Sequence, residues 1–366
     1  MHLIQKIFST LQTWVFKRKL LRFSGRFPWK AESCFYCPEM CLYACPVVES
    51  TASNTYSPRG KMSLAHLQAI NKLPELSPEA HLHVLDQCTQ CGRCTENCVY
   101  EIDVFSELRQ QRSHLRTEAS LPMRQIKSSL VRVSTHNSTN SQFHESNCDT
   151  IIITNSQNHD SWTNGNYNKS LAAAGYNMID VVTLFDAKDL FEEGRITHTS
   201  LKGNELITLL GKYKAILCEE PRDAYMLHSL APSSIQKRIR TVWQQLFDQF
   251  VNMDWPQPTL FQESSFLTRN LPRLGFSIPM YERQYLPLYH FGVRALDAGG
   301  ESSHVKKYPK QAQTIANNLI RTFYLSRPDL RQLITQSYDA HVLLLQAKTI
   351  NNHEQLTVMY WLDALI

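Results

Sequence analysis

The chain carries the run Cys34-Phe-Tyr-Cys37-Pro-Glu-Met-Cys41-Leu-Tyr-Ala-Cys45-Pro46 and repeats its pattern in Cys88-Thr-Gln-Cys91-Gly-Arg-Cys94-Thr-Glu-Asn-Cys98. Eight of its ten cysteines fall in these two runs. Three thiolates spaced two or three residues apart can converge on one face of a cubane iron–sulfur cluster, and a fourth cysteine closes the cage. The two runs therefore predict two [4Fe–4S] clusters.

The ligands of the two clusters are expected to be crossed between the runs. In two-cluster ferredoxins the fourth cysteine of a run ligates the other cluster. We therefore predict two sets of ligands, which are Cys34, Cys37, Cys41 and Cys98 for one cluster and Cys88, Cys91, Cys94 and Cys45 for the other. The second run has the bacterial spacing, whereas the first has one additional residue between its second and third cysteines.

Two other uses of clustered cysteines are less consistent with the pattern. A structural zinc site uses four thiolates, usually as two separated C-x2-C pairs, whereas here each run holds all four cysteines together. A disulfide framework is typical of small secreted chains, and this chain is long and shows no cleavable signal. The two remaining cysteines, Cys148 and Cys218, stand alone and are expected to be small buried apolar residues.

Length and composition suggest a globular protein of two domains. The chain has 366 residues and a net charge of +5, which is modest, and no basic-aromatic motif indicates nucleic-acid binding. It contains no apolar run of about 18 residues or more, the length that a membrane-spanning helix needs. Because clustered thiolates require a reducing compartment, we expect the protein in the cytosol or at the cytosolic face of a membrane.

Residues 1–30 predict a basic amphipathic helix. They contain no acidic residue and the basic residues Lys6, Lys17, Arg18, Lys19, Arg22, Arg26 and Lys30. One apolar stripe at helical spacing is formed by Leu3, Ile4, Ile7, Phe8, Leu11, Trp14 and Val15. Such a helix can lie in a membrane interface through residues 1–23, or it can pack on a partner subunit or on its own domain.

Residues 31–130 predict a helical domain. Two helices are expected between the cysteine runs, one after the turn Ser57-Pro-Arg-Gly-Lys61 and one that starts with Ser77 as its N-cap and Pro78 in its first turn. Two helices between two cluster motifs are typical of an alpha-helical ferredoxin. We expect residues 99–126 to continue helical.

The rest of the chain predicts an α/β domain after a linker at residues 131–147, whose composition is polar. Strands are expected at residues 150–154, 181–184 and 215–217, with helices at residues 169–174 and 206–210 between them. Asp223-Ala-Tyr-Met-Leu227 recurs as Asp339-Ala-His-Val-Leu343, which suggests two diverged repeats at about residues 148–250 and 251–366. The fold class is therefore α+β, with a ferredoxin-like domain followed by an α/β domain.

With these motifs, the chain resembles the iron–sulfur subunits of glycolate oxidase, anaerobic glycerol-3-phosphate dehydrogenase and heterodisulfide reductase. The resemblance rests on the two cysteine runs and on Ser57-Pro-Arg-Gly-Lys61, which is similar to the D-x-P-R-G-R stretch of the glycolate oxidase subunit. Less specific similarities to the family's two cysteine-rich repeats occur at residues 194–197, 202–206, 297–300, 308–310 and 316–319. They imply that the resemblance covers nearly the whole chain.

One departure from the family concerns its C-terminal repeats. Members with thiol chemistry carry paired cysteines there, which bind a further cluster, whereas Asp223 and Asp339 stand at those places here. Carboxylates are hard oxygen ligands and poor partners for iron–sulfur clusters. The resemblance then implies that the C-terminal domain is a scaffold, a docking surface or a diverged site.

The expected function is electron transfer in an oxidoreductase complex. The sequence predicts two clusters and contains no G-x-G-x-x-G, P-loop or hydrolase signature. This combination favours a non-catalytic subunit that carries electrons between a flavin dehydrogenase-type partner and a second carrier or a quinone. The alternatives are an assembly or redox-sensing protein with structural clusters, and a reductase with a diverged site between the repeats. Arg93 and Glu39, in the two cysteine loops, can shift cluster potentials but are expected to be solvated, and His66, His81 and His83 are expected at the surface.

Overall fold

The computed structural model describes residues 29–70, 72, 76–118, 127–134, 149–154, 159–163, 167–176, 178–185, 187–193, 195, 205–253, 259–278, 286–287 and 304–365. Residues 1–28 of the expected basic helix lie outside this set. Cys148 and residues 135–147 of the expected linker also lie outside it. None of the helices among the described residues has the length and the hydrophobicity to cross a membrane.

The N-terminal part of the structure is a group of short helices that surrounds the two cysteine runs. Its helices are α1 (Trp29–Phe35), α2 (Pro46–Thr51), α3 (Pro58–Ala69), α4 (Pro78–Asp86), α5 (Arg93–Glu96) and α6 (Val104–Glu118), with 3-10 turns at Met40–Leu42 and Asn54–Tyr56. Its core includes the fully buried Leu85 and Leu115. The described part of this region up to Glu118 is helical as expected, but residues 99–103, expected to be helical, are not.

Side-chain caps fix where the two helices between the cysteine runs begin. The Ser57 hydroxyl accepts a hydrogen bond from the Gly60 amide at 2.9 Å, and the Ser77 hydroxyl accepts one from the Ala80 amide at 3.2 Å. A proline follows each serine at the first helical position, where its missing N–H group is not needed. The predicted N-cap at Ser77 is confirmed.

The first sheet has the strand order β1-β3-β2-β4-β5. Its strands are β1 (Lys127–Ser134), β2 (Thr150–Thr154), β3 (Met178–Phe185), β4 (Ala215–Cys218) and β5 (Ile239–Thr241). The helices of this half are α7 (His159–Thr163), α8 (Asn168–Ala173), α9 (Ala187–Glu192), α10 (Glu205–Leu210), α11 (Pro221–Leu230), α12 (Ser233–Gln236) and α13 (Val242–Val251). Strand β1 is antiparallel to β3, and the other pairs are parallel.

The second sheet has the strand order β7-β6-β8-β9, and all its pairs are parallel. Its strands are β6 (Thr259–Gln262), β7 (Leu286–Pro287), β8 (Gln332–Thr335) and β9 (Thr357–Tyr360). The helices of this half are α14 (Leu271–Arg273), α15 (His304–Lys307), α16 (Pro309–Ser326) and α17 (Tyr338–Ile350), with a π-helix at Phe266–Asn270 and a 3-10 turn at Asp363–Leu365.

The parallel strands of the two sheets follow the same order. Among the parallel strands of each half, the second along the chain lies on one side of the first, and the third and fourth follow on the other side. Duplication of one α/β unit would produce this shared order. It supports the expected repeats, which stay a prediction.

Apolar residues hold the two halves of the α/β part together. Strand β2 is buried along its whole length because it lies between two parallel neighbours, which accounts for its run of isoleucines. Trp243 of α13 stacks on Phe261 of β6 at 5.6 Å between ring centroids and meets Trp361 edge-on at 4.9 Å. These rings join the core of the first sheet to the second.

The domain boundary differs from the expectation at one place. Residues 127–130 were expected in the helical domain and residues 131–134 in the linker, but together they form β1, which pairs with β3. Leu130, Val131 and Val133 are apolar residues, and the two valines are of a type that favours strands. Strand β1 extends the first sheet at its edge.

We predict that the core of the first sheet contributes strongly to stability. Leu217 in the interior strand β4 is 0 % exposed, so Leu217→Ala should lower the free energy of unfolding by about 2–5 kcal/mol through lost burial and a new cavity. The matched control is Leu325→Ala in α16, because Leu325 is 85 % exposed and its truncation should change stability by less than about 0.5 kcal/mol. Chemical denaturation measures both, and equal effects would contradict the assigned core.

Candidate iron–sulfur sites

The inner cavity is lined by Cys45, Cys88, Cys91 and Cys94. Cys45 immediately precedes α2, Cys88 follows α4, and Cys94 lies in α5. Its walls include Val104, Phe105 and Leu108 of α6. One cysteine of the first run and three of the second therefore line one space.

The outer cavity takes its cysteines mainly from the first run. It is lined by Cys34, Cys37, Cys41, Cys94 and Cys98. Cys34 lies in α1, and Cys41 lies in the 3-10 turn at Met40–Leu42. Cys94 lines both cavities, so the two spaces are adjacent and share a wall.

The structure thus brings together both sets of cysteines that the spacing predicts as crossed ligands. Cys34, Cys37, Cys41 and Cys98 meet at the outer cavity, and Cys45, Cys88, Cys91 and Cys94 meet at the inner one. Their roles as ligands stay a prediction. The described residues contain no group of three or more His, Cys, Asp or Glu placed to hold a single metal ion.

Cys218, which was expected to be an isolated apolar residue, is fully buried at the end of β4, so that prediction is confirmed. It is the only cysteine among the described residues of the C-terminal half.

Burial sets the acidity of the clustered thiols. Burial, followed by neighbouring cysteines, raises the pKa of Cys34 and of Cys41 to about 12. Burial also raises the pKa of Cys94 well above its usual value. For Cys45, burial raises the pKa while the ammonium of Lys61 acts in the opposite direction. Since such thiols are protonated at neutral pH, metal binding in either cavity must release protons.

Two buried cations line the inner cavity, and the sequence did not reveal their burial. Lys61 is 1 % exposed and Arg93 is 3 % exposed. The Lys61 ammonium donates to the carbonyl oxygen of Tyr56, whereas Nε and Nη2 of Arg93 have no hydrogen-bond partner among the described residues. The expectation that Arg93 is solvated is wrong, because α5 turns it into the interior.

The chemistry of these residues fits a thiolate-bound cluster in the inner cavity. An uncompensated buried charge destabilises a fold by about 3–5 kcal/mol, so a buried guanidinium needs an anion beside it. Four cysteine thiolates around a [4Fe–4S] core supply a net negative charge. The lining of four thiols and two cations therefore fits an anionic iron–sulfur cluster better than an empty or apolar space.

The outer cavity lies next to the protein surface. Among the residues that line it, Met40, Val99 and Tyr100 are between 49 % and 70 % exposed. Glu39, which was also expected to be solvated, forms an ion pair with Arg59 at 3.1 Å, and the Arg59 Nε and Nη2 atoms donate to the carbonyl oxygen of Phe35.

The three histidines near the cysteine runs differ in exposure. His83 is exposed and His66 is half-buried, but His81 is 1 % exposed and the prediction of a surface position is wrong for it. His81 lies on the face of α4 that also carries the buried Leu82 and Leu85. Burial lowers the pKa of His81 to about 4, which keeps its imidazole neutral at physiological pH.

Residues of the α/β part hold the loop that carries Cys88, Cys91 and Cys94. Arg269 donates from Nη1 to the carbonyl oxygen of Cys91 at 3.4 Å and pairs with Glu96 at 2.5 Å. Asn270 donates from Nδ2 to the carbonyl oxygen of Gln90 at 3.3 Å. Both belong to the π-helix at Phe266–Asn270, an element that often occurs at functional sites.

The side chain of Gln90 contacts another element of the α/β part, helix α9. Its Nε2 donates to Glu192 Oε2 at 3.1 Å, and Glu192 Oε1 accepts from Arg222 Nε at 2.6 Å. Arg112 of α6 also donates to the carbonyl oxygen of Glu192, at 3.3 Å. A second anchor joins Lys307 to Asp86, at 2.6 Å. We call the contacts of Arg269, Asn270 and Glu192 with this loop the loop clamp.

Asp223 and Asp339 lie in a cluster of charged side chains at the starts of α11 and α17. Arg222 Nη1 lies 3.3 Å from Asp339 Oδ2, and Lys188 Nζ lies 3.1 Å from the same oxygen. Both Lys188 and Arg222 also lower the pKa of Asp223, but burial outweighs them and raises it to about 6. The helices that follow β4 and β8 therefore carry carboxylates near cationic side chains in their first turns, and the replacement of family cysteines by these residues stays a prediction.

We predict that Gly92 is required for the shape of the inner loop. Its φ of +72° is a left-handed conformation, and a Cβ atom there would lie 2.8 Å from Oδ1 of Asn270, whose side chain is fixed by the loop clamp. Gly92→Ala should therefore destabilise the protein by about 1–3 kcal/mol, more than the conformational strain alone.

The matched control is Gly175→Ala. Gly175 has a φ of +92° but nothing within 4 Å of its Cβ position, so this variant reports strain without the contact. Denaturation of the two variants measures the difference, and equal losses of stability would contradict the proposed contact with Asn270.

We also predict that Glu220 gives stability a pH dependence. Its Oε1 accepts from the Tyr338 amide at 2.8 Å, Oε2 has no partner among the described residues, and burial raises its pKa to about 8 despite Lys188. The folded state thus holds a proton that the unfolded state loses near pH 4.5, so this contribution is present below that pH and lost as the pH rises through 8.

Glu220→Gln, which mimics the protonated acid, should remove this loss of stability with rising pH. Relative to the variant, the native protein should lose up to about 1.4 kcal/mol of unfolding free energy per pH unit between about pH 4.5 and 8, with no further loss above that range. Denaturation at a series of pH values measures it, with the exposed Glu354→Gln as control. Parallel pH profiles for the native protein and Glu220→Gln would contradict the assignment.

Comparison with known proteins agrees with this geometry. Residues 30–102, which include both cysteine runs, match the family described as 4Fe-4S dicluster domain. No curated protein and no solved structure matches the chain. The match supports the narrower resemblance to the glycolate oxidase and heterodisulfide reductase subunits only in its iron–sulfur part. Residues 30–102 are an iron–sulfur domain of the 4Fe-4S type, which indicates a role in electron transfer.

Proposed function

We propose that this protein is a non-catalytic electron-transfer subunit that relays electrons through two [4Fe–4S] clusters. The partner on one side is a flavin dehydrogenase-type protein, and on the other it is a second carrier or a quinone. The observation that supports the proposal most is the division of eight cysteines between two adjacent cavities that share Cys94. A site of this kind inside a 4Fe-4S domain suits passage of electrons from one cavity to the next.

The cysteines of each cavity would hold one cluster by the crossed sets that the spacing predicts. Each cluster supplies a one-electron carrier when it is bound. The residues of this chain fix the positions of the two sites: the caps of α3 and α4 place the first run against the second, and the loop clamp holds residues 88–94. A rigid surround changes little between two charge states and so favours fast transfer.

The outer cavity is the proposed place of contact with the redox partner. The exposed side chains of Met40, Val99 and Tyr100 line it, and the exposed Tyr36 and Tyr43 lie close to its cysteines in sequence. Aromatic residues and methionine are enriched in protein interfaces. A flavoprotein that docks on this surface would bring its cofactor to the more accessible of the two sites.

The C-terminal α/β part serves as a scaffold in this proposal. Its two halves are diverged repeats, and their charged network replaces the thiol sites of the resembled family. We place the protein in the cytosol or at the cytosolic face of a membrane, because clusters held by thiolates persist in reducing conditions. The basic residues 1–23 would bind a membrane surface or a partner subunit.

A second candidate function is redox sensing or assembly. The loop clamp favours it, because loss of a cluster at Cys88, Cys91 and Cys94 would release residues that bind Glu192, Arg269 and Asn270. In that case a partner would respond to the presence of the cluster. Rapid reversible reduction with transfer of electrons from a flavoprotein would distinguish the relay from the sensor.

The first test of the proposal is a measurement of iron. The protein, purified without oxygen, should contain about eight iron and eight sulfide per chain, and after reduction its EPR spectrum should show two interacting clusters. Zinc, or no metal, would contradict the proposed relay.

Single cysteine variants test the two sets of ligands. Cys41→Ser should remove the cluster of the outer cavity, and Cys88→Ser should remove that of the inner cavity, so each variant should keep about four irons. Cys218→Ser is the matched control because Cys218 lies outside both cavities, and it should keep the iron content of the native protein. Loss of iron in this control would contradict the assignment.

A further inference from the structure

The two cavities differ in the charges that surround them. Lys61 and Arg93 line the inner cavity and are almost completely buried. Neither forms an ion pair with a carboxylate among the described residues, and Glu96, on the same helix as Arg93, pairs with Arg269 instead. The positive charge at the inner cavity is therefore not neutralised by neighbouring acids.

The outer cavity carries no comparable excess of positive charge. Arg59 lines it, but Glu39 neutralises Arg59 at 3.1 Å, and both side chains are partly exposed. Glu107 adds a negative charge that acts on Cys34. Water screens charges at an exposed site, whereas a charge in a dry interior acts over a longer distance.

The walls of the inner cavity preserve the effect of its cations. Val104, Phe105 and Leu108 are buried apolar residues on one side, and the loop clamp covers the loop on the other. Reduction adds a negative charge to an iron–sulfur cluster, and nearby positive charge favours that reduced state. The same electron is therefore more stable at the inner site than at the outer site.

We propose that Lys61 and Arg93 make the inner site the higher-potential one, so that electrons enter at the outer site and collect at the inner site. This inference rests on the proposed function and adds a direction to it. Lys61 and Arg93 ligate nothing and act on the cluster only through their positive charge. The first electron added to the chain resides at the inner site.

The test is a potentiometric EPR titration of the full chain with both clusters loaded. The Cys41→Ser variant, which keeps the inner cluster, identifies the inner signal, and Cys88→Ser identifies the outer one. In the otherwise native protein the inner signal should develop first as the potential is lowered. If the outer signal develops first, the proposal is wrong.

Charge-removing variants test the cause. Lys61→Met and Arg93→Met should each lower the inner potential by an amount that changes its redox equilibrium about tenfold or more, which is about 59 mV for one electron. The outer potential should change much less. Arg93→Lys keeps the charge and should restore most of the inner potential, a result that loss of a purely structural contact does not produce.

Arg59→Met is the matched control at the other site. It leaves Glu39 without its partner, so it should lower the outer potential and increase the difference between the two reduction potentials. Lys61→Met and Arg93→Met should decrease that difference. Arg93→Gln removes the charge but keeps polar contacts, and it replaces Arg93→Met if that variant does not fold. An unchanged inner potential in both Lys61→Met and the Arg93 variant would overturn the proposal.

The outcomes separate this inference from the proposed function. A native protein without redox-active iron would remove the relay itself, and no potential could then be compared. A native protein with two reducible clusters whose order does not depend on Lys61 or Arg93 would keep the relay and reject only the direction assigned here.

Discussion

The structure depends on the convergence of two distant cysteine runs on a pair of adjacent cavities. Each cavity takes cysteines from both runs: Cys45 joins three residues of the second run at the inner cavity, and Cys94 and Cys98 join three of the first at the outer one. Neither cavity is complete unless both runs are in place. The helices between the runs begin at serine caps followed by prolines, and they connect the two runs. The apolar core of this domain is small.

The α/β part adds a second constraint on the same loop. A 4Fe-4S domain can hold its cysteines by local turns alone, but here residues far along the chain bind the backbone between Cys88 and Cys94. Glu192 and Arg222 connect that loop to the network that contains Asp339. The α/β part thus contributes charge and rigidity to the cysteine loop.

Much of the site was predictable because its information is local. The cysteine spacing, the N-cap at Ser77 and the strand at residues 150–154 depend on residues a few positions apart, and the structure places them as expected. The burial of Arg93 and His81 and the contact of Asn270 with Gln90 depend on elements that are distant in sequence, so periodicity carries no signal for them. Strand β1 was missed for a related reason. Strand β1 lies at the sheet edge beside a polar stretch, and its place there depends on pairing with β3, which is distant in sequence.

Coverage of the inner loop also bears on how the protein matures. Gln90 and Gly92 adopt left-handed conformations, and the π-helix packs directly against them, so access to the inner cavity from that side is closed once the two parts of the chain have docked. Iron and sulfide would have to reach Cys88, Cys91 and Cys94 while the C-terminal part is still undocked. Otherwise the C-terminal part would have to dissociate from the loop again. The order of biosynthesis favours this sequence of events, because the cysteine runs leave the ribosome well before residues 266–270 do.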